Sequence, residues 1–181
     1  MLRITKLMIL MLVGGAFHSA ASAAELKTVD SVDLDRYLGT WYEIASYPAW
    51  FQKSCTAVKA EYARRDDGLI SVVNSCLKHT LAGKLKQANG KAKIVDPESN
   101  AKLKVSFFGP FWGPYWIIDL DTDYGWAVVG VPSRKYLWIL SRTPEMDGNT
   151  YAGILKRLVD QGYDPSRLKK TLQPIVTDTR P

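Results

Sequence analysis

Residues 102–121 contain the pattern that most restricts the fold of this chain. From 102 to 107, polar side chains alternate with the apolar Leu103, Val105 and Phe107. A period of two is typical of a strand with one buried and one solvated face. A turn rich in glycine and proline follows, then a second run of aromatic and β-branched residues, so the segment predicts a β-hairpin. The turn contains Phe111 and Trp112, and two large aromatic residues in an exposed loop indicate that the loop contacts an apolar molecule.

Further short strands are predicted along the chain, each followed by a turn. We expect them at 39–47, 58–64, 69–75, 81–95 (one bent strand interrupted at Asn89-Gly90), 126–131 and 136–141. With the two strands of the hairpin they make eight, and no helix separates them, which excludes parallel βαβ units. The sequence therefore predicts an all-β fold, an eight-stranded antiparallel up-and-down β-barrel wide enough for one small ligand.

Helical segments are predicted only at the two ends of this barrel. A short helical turn at 32–38 precedes the first strand, with Asp33 placed to cap it. One α-helix is predicted at 150–161, where apolar residues recur at helical spacing and Gly162 suits the C-cap. Asp164-Pro165 then starts another helical turn. We expect the α-helix to pack against the outside of the barrel.

The first residues have the pattern of a signal peptide. Arg3 and Lys6 precede an apolar stretch at 7–17 that is too short to cross a bilayer, and Ala21-Ser22-Ala23 is a small-residue cleavage pattern. We expect a signal peptide at 1–23 and one domain at 24–181, a buried N-terminal helix being the alternative. No cysteine follows the cleavage site directly, so we expect an exported, soluble protein rather than a lipoprotein.

Cys55 and Cys76 are the only two cysteines. In an oxidising compartment they suggest one disulfide bond, and antiparallel pairing about the turn at 65–68 would bring the two sulfurs together. Two free thiols are the alternative. Because there is no Cys-x-x-Cys motif, redox catalysis is not expected.

The charge of the chain argues against nucleic-acid binding. Loss of residues 1–23 removes Arg3 and Lys6 and no acid, which lowers the formal net charge from +6 to +4. The remaining lysines are spread along the chain rather than clustered. A solvated surface explains them, with weak attraction to anionic membranes as a second reading. An outer-membrane barrel is disfavoured, because Lys102 and Lys104 would then point into a narrow interior without partners.

Three short motifs in order resemble the signatures of the lipocalin family. They are Gly39-Thr40-Trp41-Tyr42 after a helical turn, Thr122-Asp123-Tyr124 between two late strands, and Ser141-Arg142 at the end of the last strand. The runs at 105–111 and 136–144 look like those of bacterial outer-membrane lipocalins, relatives of animal apolipoprotein D and plant temperature-induced lipocalins. The resemblance covers residues 32–174. It implies an eight-stranded calyx that binds lipophilic molecules such as fatty acids or lysophospholipids. For this chain we expect a free protein in the periplasm, with peripheral contact with the outer membrane as the alternative.

The resemblance also implies structural roles at the two ends of the barrel. Trp41 would close the base with Arg142 stacked on it, in agreement with the cation–π attraction between a guanidinium and an indole. The residues that match the signatures are Gly39, Trp41, Thr122, Asp123, Tyr124 and Arg142. At the open end, we expect Trp50, Phe51, Phe111 and Trp112 to form the rim, with ordinary loop packing as the alternative.

Alternation along the strands, with the family's register, predicts the side chains that face a ligand. They are Val58, Ala60, Tyr62, Leu103, Val105, Phe107, Ile117, Tyr136, Trp138 and Leu140. For each of them plain barrel core is the alternative. The same register turns Glu43 and Asp119 inward, where we expect them to find partners within the protein.

Catalysis and metal binding have little support in the sequence. His79 is the only histidine after residue 23, and we find neither a nucleophile elbow nor a phosphate-binding loop nor a metal-ligand spacing. We therefore expect a protein that is not an enzyme and needs no cofactor. We expect it to be a monomeric or weakly dimeric carrier of a lipophilic small molecule. A barrel filled by its own side chains that binds a partner, or a lipid-modifying enzyme, are the alternatives.

Overall fold

A computed structural model describes residues 25–174 of the chain. Eight strands follow one another in the predicted order. They are β1 (Gly39–Ser46), β2 (Cys55–Arg64), β3 (Ile70–Lys78), β4 (Leu85–Ile94), β5 (Lys102–Phe108), β6 (Phe111–Leu120), β7 (Trp126–Gly130) and β8 (Leu137–Ser141). The predicted signal peptide lies outside the described residues. Within residues 25–174, no helix has the length and apolar character needed to cross a membrane.

The eight strands close into the predicted antiparallel barrel. Each strand pairs with the next along the chain, and β1 pairs with both β8 and β2, so the sheet has no free edge over most of its length. The turns at 65–69, 95–101 and 121–125 lie at one end, which we call the base. The loops at 47–54, 79–84, 109–110 and 131–136 lie at the other end, which we call the mouth.

Two helices flank the barrel as predicted. Helix α1 (Leu34–Tyr37) is capped by Asp33, whose carboxylate accepts hydrogen bonds from the backbone amides of Asp35 and Arg36. Helix α2 (Gly148–Asp160) buries Ile154 and Leu158 in a second apolar cluster, together with outward-facing residues of the sheet such as Ile118 and Ile139. Gly162 follows it with a φ of 76°, the left-handed conformation that favours glycine.

The base is closed by Arg142 and Trp41. The guanidinium carbon of Arg142 lies 3.8 Å from the centre of the fully buried Trp41 ring. The same guanidinium donates hydrogen bonds to the backbone carbonyls of Arg36, Thr40 and Tyr124. It thereby joins α1, β1 and the turn at 121–125, in which Thr122 and Asp123 also lie. Gly39 beside this side chain has a φ of 94°, in the left-handed region that favours glycine.

A ninth strand, β9 (Lys169–Lys170), was not predicted from the sequence. It pairs with β1 at Ala45 and Ser46, near the mouth, where β1 and β2 no longer pair with each other. The chain then runs down between them: Thr171 donates its backbone amide to the carbonyl of Ile44, and the carbonyl of Leu172 accepts from Ala57. Residues 169–173 therefore form a wedge between β1 and β2 in the upper half of the barrel.

The disulfide bond predicted between Cys55 and Cys76 is present. Their Cα atoms lie 5.5 Å apart, on neighbouring strands at the mouth end of β2 and β3. In the chain-entropy model, closing a loop of this length stabilises the fold by about 3 kcal/mol.

Two details of the strands differ from the sequence-based expectation. A β-bulge between Ile117 and Asp119 reverses the alternation, so Asp119 points outward and forms a salt bridge of 2.7 Å with Arg157 of α2 instead of facing the interior. The strand expected to be interrupted at Asn89-Gly90 is continuous from residue 85 to 94. A glycine is needed at 90 because a Cβ there would lie 2.7 Å from the ring of Phe107.

We predict that Arg142→Ala lowers the free energy of unfolding by about 3 kcal/mol, because it removes a cation–π contact and charge-assisted hydrogen bonds that join three elements. Urea unfolding followed by tryptophan fluorescence measures this change. Arg167→Ala is the matched control, since Arg167 stacks on Tyr47 at 4.3 Å but is exposed and joins no strands. Equal losses of stability in the two variants would contradict this role of Arg142.

Candidate ligand-binding site

The lower half of the barrel interior is an apolar core. Tyr62, Leu103, Ile117 and Leu140 are buried in one cluster with Trp41. The residues predicted to face inward that lie in this cluster or against it are Ala60, Tyr62, Leu103, Val105, Phe107, Ile117, Trp138 and Leu140. The strand alternation therefore brings together eight of the ten inward-facing residues named from the sequence.

Three tyrosines form a hydrogen-bonded floor inside the barrel. The hydroxyl of Tyr115 lies 2.8 Å from that of Tyr37 and 3.0 Å from that of Tyr62. Burial raises the pKa of Tyr62 from its ordinary value of 10.0 to about 12, and raises the pKa values of Tyr37 and Tyr115 well above that ordinary value. Of these three tyrosines, only Tyr62 was predicted from the sequence to face inward. Extending the alternation two residues back from Ile117 would have found Tyr115, whereas nothing in the sequence linked Tyr37 to the interior.

Above this floor the interior opens towards solvent. The void between the tyrosines and α1 has a volume of about 10 Å³, room for about one water molecule. Nearer the mouth, the register places Ala60, Asn74 and Ala88 side by side on the inner face, and all three remain partly exposed. The accessible part of the interior is thus the upper half of the barrel, which we call the cup.

A buried carboxylate organises one wall of the cup. Glu43 is only 4% exposed, and its carboxylate accepts hydrogen bonds from Ser46 Oγ at 2.9 Å, Gln52 Nε2 at 2.7 Å and Thr171 Oγ1. Gln52 Oε1 in turn accepts a hydrogen bond of 2.9 Å from the indole of Trp138. Glu43 therefore has its partners within the protein, as expected, and the network holds Trp138 in place.

Aromatic side chains line the same side of the mouth. Tyr136 stacks on Trp138 with 5.9 Å between ring centres, and Phe51 lies 5.7 Å from Tyr136. Trp50 packs edge-on against Phe51 and is 81% exposed. These four residues, all named from the sequence, form one continuous aromatic strip from the cup to solvent.

Val58 lies near the wedge rather than in the core cluster. It is half-buried beside Ala57, which has a positive φ of 47°. Its backbone carbonyl accepts a 2.8 Å hydrogen bond from Gln173 Nε2, which also donates to the carbonyl of Glu43 at 2.8 Å. Gln173 therefore joins β1 and β2 at the point where the two strands separate. No pattern in the sequence indicated this role.

The tip of the β5–β6 hairpin presents two exposed phenylalanines. Phe111, named from the sequence, is 76% exposed and is paired with Phe108, which is 78% exposed and was not named. Trp112, expected at the rim, lies instead on the outer face. Gly113 pairs with the inward-facing Val105 and so faces inward, and its neighbour Trp112 therefore faces outward. There the ammonium groups of Lys93 and Lys91 lie 4.6 and 5.7 Å from its ring.

His79 lies in the exposed loop at 79–84, where its backbone amide donates to the carbonyl of Ser54 at 2.7 Å. Among residues 25–174, no three His, Cys, Asp or Glu side chains come together in a group that could hold a metal ion. The part of the chain that the structure describes offers an apolar cup with a polar wall.

Comparison with known sequences agrees with this geometry. A family model described as a lipocalin-like domain matches residues 32–173. The chain is 42% identical over 166 residues to temperature-induced lipocalin-1 of Arabidopsis thaliana, covering 87% of this chain and 86% of that protein. It is also 42% identical over 146 residues to the outer membrane lipoprotein Blc of Escherichia coli K12, covering 81% of this chain and 82% of that protein. Apolipoprotein D of Mus musculus is 32% identical over 187 residues, covering 94% of this chain and 96% of that protein.

Solved structures share the fold at lower sequence identity. Insecticyanin from the tobacco hornworm Manduca sexta matches with a TM-score of 0.66 at 24% identity, over 83% of this chain and 85% of that one. Lobster apocrustacyanin A1 matches with a TM-score of 0.61 at 22% identity, over 78% and 79% of the two chains.

The buried tyrosine floor predicts a loss of stability in alkali. Because the folded protein holds the pKa of Tyr62 at about 12, the stability that its neutral hydroxyl contributes is complete below pH 10.0 and is lost as the pH rises towards 12. Each such tyrosine adds about 1.4 kcal/mol per pH unit to the slope of the unfolding free energy in that range. We expect Tyr62→Phe to have a shallower slope than the unsubstituted protein.

Urea unfolding at a series of pH values measures the two slopes. Below about pH 9 tyrosines are neutral in both states, so there the two proteins should differ by a constant amount. Parallel curves over the whole alkaline range would contradict a shifted pKa at Tyr62.

Proposed function

The chain belongs to the lipocalin family, and from that premise we propose that it binds and carries an apolar or amphipathic lipid, such as a fatty acid or a lysophospholipid, in its cup. Lipocalins bind small hydrophobic ligands. One observation carries the proposal: the barrel is sealed at its base by Trp41 and Arg142, whereas the apolar inner wall is reachable at the mouth.

The energetics of burial support a lipid chain as cargo. The depth of the cup along strand β3, from Asn74 to Lys78 at the mouth, is about 13 Å at the usual rise per residue. Each methylene removed from water contributes about 0.8 kcal/mol, so an acyl chain of about ten carbons gains about 8 kcal/mol before the cost of ordering it is subtracted. The Glu43 network keeps Trp138 and Gln52 oriented along the wall, which lowers that cost.

We further propose that the protein acts in the cell envelope after export. The pattern at 1–23 and the disulfide bond support export into an oxidising compartment. Several relatives carry the name outer membrane lipoprotein, which places those proteins in the envelope. For this chain we propose a periplasmic carrier, because no cysteine directly follows the predicted cleavage site. Its role is binding and transport rather than catalysis.

A second candidate function is favoured by the small void. With a void of only about 10 Å³ beside the tyrosines, the lower half of the barrel is filled by its own side chains. Such a barrel would serve as an interaction module whose contacts are made by its loops. The two candidates differ in whether the cup takes up lipid.

Native mass spectrometry of the protein purified from its host envelope, followed by lipid extraction, separates the two candidates. We expect one bound fatty acid or lysophospholipid per chain. A mass without ligand that also fails to change when lipids are added would overturn the carrier proposal and favour the filled barrel.

We predict that Ala88→Trp weakens lipid binding at least tenfold, because the indole would occupy the cup at a position whose inner face is open. Binding is measured by displacement of a fluorescent fatty acid. Gln87→Trp adds the same side chain one residue away on the exposed outer face, so it is the matched control and should bind normally. Equal affinity in both variants would argue against cargo in the cup.

Substitutions at the hairpin tip provide an additional comparison. Phe111→Ala should weaken binding because it removes an exposed aromatic group at the mouth, whereas Trp112→Ala, on the outer face, should not. The same displacement assay tests both. If only Trp112→Ala lowered the affinity, the proposed path of the ligand through the mouth would be wrong.

A further inference from the structure

The mouth carries most of the exposed large apolar side chains of the described chain. Within residues 25–174, nine large hydrophobic residues are exposed, and six of them lie at the mouth. These six, which we call the mouth ring, are Trp50, Phe51, Leu81, Leu85, Phe108 and Phe111. They come from three separate loops that the barrel brings to one end. An apolar surface of this kind, reaching into solvent, marks a contact with another apolar body.

Basic residues border the mouth ring, and the four mouth loops themselves contain no acid. The basic residues in these loops and at the adjoining strand ends are Lys53, Lys78, Lys84, Lys86, Arg134 and Lys135. The base turns are mainly acidic: Asp66, Asp67, Asp96, Glu98, Asp121 and Asp123 lie in them, with Arg65 as the one basic residue. The loops at the two ends of the barrel thus carry opposite net charge.

We propose that the mouth docks onto the surface of an anionic phospholipid bilayer, with the mouth ring inserted among the headgroups and the lysines paired with lipid phosphates. Aromatic side chains favour the interface between water and hydrocarbon. Basic residues close to an anionic surface are attracted to it, and their long side chains can reach past an apolar ring to the headgroups. The ring and its basic border match these two layers of a membrane.

Other occupants of this surface fit the charge less well. A second copy of the chain docked mouth to mouth would bring two sets of basic loops together, and like charges would repel. An apolar groove on a protein partner would need a matching acidic border. An anionic bilayer supplies both the apolar interior and the negative surface over the whole width of the mouth.

This inference deepens the proposed function, on which its biological purpose rests. With the cup facing the bilayer, a lipid chain could pass between membrane and barrel without crossing water. Docking itself does not require cargo. It can therefore be tested separately from binding in the cup.

Co-sedimentation with lipid vesicles tests the docking. We expect the protein to bind vesicles made of equal parts phosphatidylcholine and phosphatidylglycerol, to bind pure phosphatidylcholine weakly, and to dissociate as salt is added. The combined variant Lys53→Glu and Lys84→Glu should lose at least about tenfold in affinity for the anionic vesicles. Lys104→Glu with Lys156→Glu makes the same charge change at exposed sites away from the mouth and should bind normally.

The mouth ring is tested in the same assay. The combined variant Trp50→Ser, Phe108→Ser and Phe111→Ser should lose binding at least about tenfold, because it removes the most exposed aromatic groups. Val95→Ser with Val159→Ser, exposed apolar positions outside the mouth, is the control. Urea unfolding confirms that each variant is folded.

Three results would overturn the proposal: no binding to anionic vesicles, equal binding by mouth and control variants, or self-association that depends on the mouth ring in the absence of vesicles. Uptake of a water-soluble fatty acid, measured without vesicles, reports on the cup alone. Normal uptake without docking would overturn only this inference, whereas docking without uptake would overturn only the carrier proposal.

Discussion

The stacking of Arg142 on Trp41 is the contact on which the rest of the barrel depends. A sheet that closes on itself brings its first and last strands together, so the end of β8 must be held against the start of β1. Arg142 does this by covering the Trp41 ring at 3.8 Å and donating to carbonyls of α1, β1 and the turn at 121–125. Because one end is sealed in this way, the interior of the barrel is accessible from the mouth.

The two ends of the barrel differ in strand pairing as well as in sealing. At the base, β1 pairs directly with β2, and the interior is filled by the tyrosine floor. Towards the mouth, residues 169–173 lie between β1 and β2, so the circumference contains part of a ninth strand. Since the diameter of a barrel grows with the number of its strands, the wedge widens the cup where the inner wall becomes partly exposed.

The sequence alone predicted the parts of this structure that depend on repeated local patterns. The order of the eight strands, the disulfide bond and the inward face of β5 all follow from alternation and turn residues. The predicted orientation of a side chain was wrong where a β-bulge or the strand register reversed the alternation of inward and outward residues. The bulge after Ile117 turned Asp119 towards Arg157, and the register of β6 placed Trp112 on the outer face. Such shifts are set by tertiary packing, which a period of two does not encode.

The wedge could not be predicted from the sequence for a related reason. It connects the polar wall of the cup to the mouth. Residues 169–173 have no strand-like alternation, because their order comes from contacts made with β1 and β2 rather than from a pattern of their own. Gln173 bonds the carbonyls of both separated strands, and Thr171 bonds the carboxylate of Glu43. Glu43 also holds Gln52, which orients Trp138. One buried carboxylate thereby couples the segment that widens the barrel to the indole that lines it, so the width of the mouth and the shape of its aromatic wall are set together.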